Sequence, residues 1–131
     1  MDPVARPTRQ RPTDAELEIL KVLWERGPST VRDVHEMLEA RATGYTTVLK
    51  LMQIMARKGL VVRDEDQRAH IYRAAEARDQ TQRRLVNDLV DRAFDGSPGE
   101  LVLHALGARR ASAADLAEIR RLLDTYEEKK R

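Results

Sequence analysis

Residues 43–73 constrain this chain more than any other stretch. Val48, Leu51, Met52 and Met55 recur at i, i+3, i+4 and i+7, which gathers apolar side chains on one face of a helix. Lys58-Gly59 supplies a helix stop, with a cation in the last turn and a glycine just past it. Leu60 to Arg63 then reads as a strand, Asp64 to Gln67 as a turn, and Arg68 to Arg73 as the returning strand. Alternation along this hairpin sends Val61 and Ile71 to the core and leaves Arg63, Arg68 and His70 around the turn. His70 reads as a surface or packing residue of the hairpin, not a ligand.

The other face of the helix is polar. It carries Thr46, Thr47, Lys50, Gln53 and Arg57 and no carboxylate. Hydroxyls and long cations can reach base edges and phosphates in a DNA major groove, and nothing on this face repels the backbone. Upstream, Thr13-Asp14-Ala15-Glu16 matches a capping box. The helix it opens runs to about Arg26, with Leu17, Leu20, Leu23 and Trp24 on one face, and Gly27-Pro28 stops it. Ser29 or Thr30 caps a second helix to about Arg41, with Val31, Val34, Met37 and Leu38 inward. Two short helices, a third with a polar face, and a basic-edged hairpin make up a winged helix-turn-helix.

Charge is distributed accordingly. The net charge of the 131 residues is only +2, too small to argue for nucleic acid by itself. Residues 12–39, however, hold seven acids against three bases, and residues 40–75 hold seven bases against three acids. The positive field therefore coincides with the proposed reading helix and wing. Arg41 and Arg68 from this basic segment join the candidate DNA contacts. The acidic tip, Asp64, Glu65 and Asp66, argues against phosphate contact through the tip itself and for contact through Arg68 and the flanking strand.

Residues 1–11, with two prolines and three arginines, read as a flexible arm without a signal peptide. No apolar run approaches the roughly 20 residues of a membrane span. The lack of cysteine excludes disulfides, thiolate metal sites and a cysteine nucleophile, and fits a cytoplasmic protein. His35, His70 and His104 stand singly, with no metal-ligand spacing, no adjacent nucleophile and no glycine-rich phosphate loop. No enzyme, cofactor or metal is expected.

Residues 74–79 read as a polar hinge. Beyond it, a helix from about Gln80 to Phe94 carries Leu85, Val86, Leu89, Val90 and Phe94 on a stripe. Asp95 to Gly99 is a break. A short helix, Glu100 to Leu106, carries Leu101, Val102, Leu103 and Leu106 and ends at Gly107. A last helix, capped at Ser112, runs to about Glu128 with Leu116, Ile119, Leu122 and Leu123 inward. Three helices in about 50 residues do not easily enclose a core alone. Their stripes pair most simply with those of a second copy, and all of these residues are candidate dimer contacts. Acids and bases balance at eleven each over residues 76–131, so this half is not the DNA surface.

The chain resembles the penicillinase-repressor (BlaI/MecI) family of bacterial regulators over about residues 12–126. The likeness rests on Leu17-Glu18-Ile19-Leu20 to Trp24, Tyr45-Thr46-Thr47-Val48, Lys58-Gly59-Leu60-Val61 and His70-Ile71-Tyr72-Arg73. It continues in Leu89 to Ser97 and Leu101-Val102-Leu103. It implies a mainly α protein, with a winged-helix DNA-binding domain over 12–75 and a helical dimerisation domain over 76–131. It also implies a homodimer on a palindromic operator in double-stranded DNA, repressing by occlusion. The positions matching the family's recognition helix are Tyr45, Thr46, Thr47 and Lys50. The chain departs from the family at Ile54-Met55, where an Arg-Leu pair often stands. It departs again at His104-Ala105, where antibiotic-responsive members are cut at an Asn-Phe bond. The resemblance therefore does not by itself imply induction by that cut, and a regulatory protease or sensor is a further candidate partner. A different reading, a helical interaction module whose winged domain binds a protein, is separated from the first by salt-dependent duplex binding.

Overall fold

A computed structural model describes residues 11–38, 43–66 and 68–130. The elements in order are α1 (Asp14–Arg26), α2 (Val31–Met37), α3 (Tyr45–Lys58), β1 (Val61–Asp64), β2 (Ile71–Ala74), α4 (Arg78–Ala93), α5 (Pro98–Ala108) and α6 (Ala113–Lys129). They form two compact units that divide after Leu85, within α4.

Capping chemistry sets most helix starts. Thr13 and Glu16 exchange hydrogen bonds at α1: Thr13 N–H donates to the Glu16 carboxylate (2.9 Å), and Glu16 N–H to the Thr13 hydroxyl (3.1 Å). Thr30, not Ser29, caps α2 in the same way with Asp33. Ser97 and Ser112 accept from Glu100 and Asp115 N–H at α5 and α6. Gly59 ends α3 at φ +81°, where a side chain would be strained.

The first unit buries Ile19, Leu20, Leu23, Val34, Val48, Met52, Met55, Val61 and Tyr72 in one core. α3 presents the expected face to it, with Leu51 at its margin. The hairpin is antiparallel, with Val61 opposite Ala74 and Arg63 opposite Tyr72. Side chains alternate across a strand, so Tyr72 and not Ile71 enters the core. This corrects the expected phase of β2. The cause lies outside the hairpin: Ser29 and Tyr72 exchange N–H to C=O bonds of 2.9 and 2.8 Å, so the α1–α2 turn acts as a third strand and fixes which way Tyr72 faces.

Other expectations also need correction. α2 ends at Met37 with Leu38 as its cap, and Met37 is exposed; residues 39–41 of the expected run lie outside the described residues. Gly107 does not end α5, which continues to Ala108. A lone glycine costs a helix only about 1 kcal/mol, too little to stop one by itself. Residues 74–79 are not a free hinge. Ala74 belongs to β2, Ala75 N–H donates to Leu60 C=O, and the Trp24 indole N–H donates to Glu76 C=O at 3.0 Å. The Glu76 carboxylate accepts from Arg84 (2.5 Å) and Thr81 (3.2 Å), and Arg78 lies over the Trp24 ring. The first turns of α4 are thus clasped to the winged unit through Trp24.

The second unit, Val86 onward, comprises the rest of α4 with α5 and α6. α4 ends in a turn where Asp95 and Gly96 both have positive φ, and Gly96 N–H reaches back to Val90 C=O. α5 and α6 contain no buried residue.

Candidate nucleic-acid interface

α3 offers one continuous polar row. Thr46, Lys50, Gln53 and Arg57 are spaced four, three and four apart, which stacks them along one side of a helix over roughly 16 Å. Tyr45 and Thr47 flank the row at its N-terminal end. All six are exposed, whereas Val48, Met52 and Met55 on the opposite side are fully buried. The core therefore orients this row rigidly outward. α3 contains no acid, and its N-cap, Gly44, provides no side-chain hydrogen bond to the first turn. Met55 lies in the core and makes no outward contact.

The C-terminal end of α3 is anchored differently. Lys58 Nζ lies 2.7 Å from the Glu16 carboxylate, which is only 2% exposed. Lys58 is therefore committed to the fold, while Arg57 beside it faces out. At the N-terminal end, the Tyr45 ring meets His35 of α2 edge-on at 5.8 Å between centroids.

Between α2, the start of α3 and the wing lies a cleft of about 550 Å³. Tyr45 and Gln53 line it from α3, Arg63, Arg68 and His70 from the wing, and Arg32 from α2. The structure thus places Arg68 on the same cleft as Tyr45 and Gln53 of α3. Arg41 lies outside the described residues. Sequence reasoning misses Arg32, because it sits in a segment whose net charge is acidic; only its position two residues after the Thr30 cap could have placed it on the outer side of α2. Asp33, the nearest acid in sequence, is turned away into the cap. Its carboxyl is held below the ordinary value by the Thr30 backbone N–H, then by the Thr30 hydroxyl and by Arg26 at 3.3 Å. In the wing, the Glu65 carboxylate, with the Tyr72 hydroxyl second, raises the pKa of Arg63, which stays cationic throughout.

The second unit has a different surface. Leu89 is 46% exposed, Leu103 68% and Leu123 55%, and Val86, Val102, Leu106, Leu122 and Tyr126 are exposed as well. Leu101, Leu116 and Ile119 are half-buried, as is Leu85 at the end of the first unit. Two of the candidate dimer residues are already covered within the chain: Val90 is buried, and Phe94 packs on His104 at 5.4 Å.

Three helices, a two-stranded wing and an outward polar face on the third helix define the winged-helix class. The penicillinase repressor family model matches residues 12–125. The chain is also 38% identical over 117 residues to the transcriptional regulator BlaI of Mycobacterium tuberculosis, in strains CDC 1551 / Oshkosh and ATCC 25618 / H37Rv. The match covers 87% of this chain and 83% of each relative. This chain belongs to the penicillinase repressor family.

Proposed function

We propose that the chain is a dimeric, sequence-specific DNA-binding transcriptional repressor that acts by occupying an operator at a promoter. Family membership makes it a transcriptional regulator and not an enzyme. The observation that carries the finer reading is the acid-free row on α3, held outward by a fully buried opposite face. Such a helix presents hydroxyl, amide and cationic groups to base edges, and a wing beside it can take the backbone.

The winged domain is assigned to residues 12–75 and the dimerisation domain to 76–131. The exposed leucines of α4–α6 support self-association, because α5 and α6 bury no residue within the chain and large apolar side chains left open in such number favour cover by a partner. A palindromic operator follows from a two-fold dimer, and two linked reading domains supply discrimination that a single half-site lacks. Among the described residues, no helix is long and apolar enough to cross a membrane. A cytoplasmic location agrees with this function.

The test is a mobility shift on the gene's own promoter-proximal DNA across a salt series, with Lys50→Ala and Thr47→Ala beside the wild type. Tight, palindrome-dependent, salt-sensitive binding that both variants weaken is expected. Unchanged affinity in both variants would move the reading surface off α3. Binding that is weak and blind to sequence would favour a protein partner for the winged domain.

A further inference from the structure

The stretch between the wing and α4 is tied to α1 through one residue. Trp24, in the last turn of α1, packs against the core and donates its indole N–H to Glu76 C=O, 3.0 Å away. The Glu76 carboxylate accepts from the Thr81 hydroxyl (3.2 Å) and from Arg84 (2.5 Å), so the same residue also grips the first two turns of α4. Thr81 is only 3% exposed, and Arg78 lies over the Trp24 ring. One residue before Glu76, Ala75 N–H donates to Leu60 C=O at 3.0 Å. Apolar packing is non-directional and lets a helix pivot, whereas hydrogen bonds weaken steeply off-axis. The ties at Trp24 and Glu76 therefore fix an angle as well as a place. All of these residues belong to the first unit. α4 does not end there but runs past Leu85 to Ala93 as one helix.

We propose that Trp24 and Glu76 are positioning residues for operator recognition: by holding the base of α4 at one angle to α1, they set the half-site separation that the dimer accepts. The inference rests on the dimeric-repressor reading and adds to it what fixes the spacing of the two reading helices. The 16 residues of α4 span roughly 24 Å. A tilt of about 8° at the base of such a helix moves its far end by about 3.4 Å, the length of one base-pair step. A clasp loosened by that little lets the dimer fit a site one base pair too long. Two linked binding modules help each other only where their connection spans both sites, so stiffness at the base of α4 becomes discrimination between spacings. Neither Trp24 nor Glu76 belongs to the outward row of α3, so their effect falls on geometry and not on base contacts.

The test compares the affinity of the full chain for its palindromic operator with that for the same half-sites moved apart or together by one base pair. One added base pair also turns a half-site by about 35°, so a stiff dimer loses much of its binding. Trp24→Phe keeps an aromatic ring and removes the N–H donor. Arg84→Met, at a side chain 37% exposed, cuts the Glu76 carboxylate from the second turn of α4. Each variant lowers the preference for the natural spacing several-fold, and Arg84→Lys restores it. A general loss of stability or of phosphate attraction weakens every spacing alike and cancels in this ratio. Sedimentation checks that the variants remain dimers, and if Trp24→Phe folds poorly, Arg84→Met against Arg84→Lys decides. Wild-type ratios in both variants, or a wild type that accepts all spacings equally, overturn the inference and leave the repressor reading standing. A wild type that does not prefer the palindrome to unrelated duplex overturns that reading as well.

Discussion

Replacing Lys58 by Met removes the cation paired with the buried Glu16 carboxylate. The pair joins the first turn of α1 to the last turn of α3, so it fixes the end of α3 against the rest of the unit. Breaking a fully buried ion pair from one side costs about 3–5 kcal/mol, because a charge is left uncompensated. Here Lys58 is 17% exposed, and Glu16 keeps its bond from Thr13 N–H, so the expected cost is lower, about 2–4 kcal/mol. Glu16→Gln is milder. Glutamine still completes the capping box, and the Lys58 ammonium can turn to water, which gives about 1 kcal/mol. The double variant Glu16→Gln/Lys58→Met leaves no buried charge and returns to within about 1 kcal/mol of wild type. Urea unfolding at fixed protein concentration measures all three. Trp24 is the sole tryptophan and sits in α1, so its fluorescence reports on this unit. A destabilisation of about 3 kcal/mol moves the midpoint by about 1.5–2 M for a slope near 1.5–2 kcal/mol/M. The reasoning is refuted if Lys58→Met lies within about 0.5 kcal/mol of wild type, or if the double variant is no more stable than Lys58→Met alone.

Two further outcomes follow from the same structure. Leu89→Asp with Leu123→Asp, both exposed in the single chain, should give monomers that bind operator far more weakly, read by sedimentation and mobility shift. Phe94→Asp also opposes association, but it disturbs the packing on His104 inside the chain, so the leucine pair is the cleaner variant; dimerisation and normal binding by that pair would displace the interface from these helices. Asp33 has a folded-state pKa below its ordinary value, so its contribution to stability is complete above the unfolded-state carboxyl pKa. It disappears as pH falls through the lower folded value. Asp33→Asn should lower stability at neutral pH and flatten this acid limb; urea midpoints against pH that run parallel to wild type would contradict it.

The helices were legible because their signals are local. Thr13 with Glu16 and Ser112 each mark a start within one turn, the second helix start is narrowed to Ser29 or Thr30, and the 48–51–52–55 spacing names the buried face of α3 without reference to anything distant. The wing was only half legible. Ile71 and Tyr72 are both apolar enough to enter a core, and a strand of four residues cannot settle its own phase; Ser29, 43 positions away in sequence, does so by pairing with Tyr72. The α3 row was read from residue types alone. Its neighbours across the cleft were less so: Arg32 lies in an acidic segment, and Arg63 reads only as the end of a strand beside the turn. The Glu16–Lys58 pair and the Trp24–Glu76 clasp join residues 42 and 52 positions apart, and no local pattern marks either.

The most direct measurement is a hydroxyl-radical footprint of the full chain on its promoter-proximal DNA. A dimer reading through α3 predicts two protected patches related by two-fold symmetry. Their centres lie a whole number of helical turns apart, about 10 base pairs or a multiple, and both disappear together in Lys50→Ala. Protection spread evenly along the duplex, or a footprint that Lys50→Ala leaves intact, would contradict sequence-specific reading by this helix.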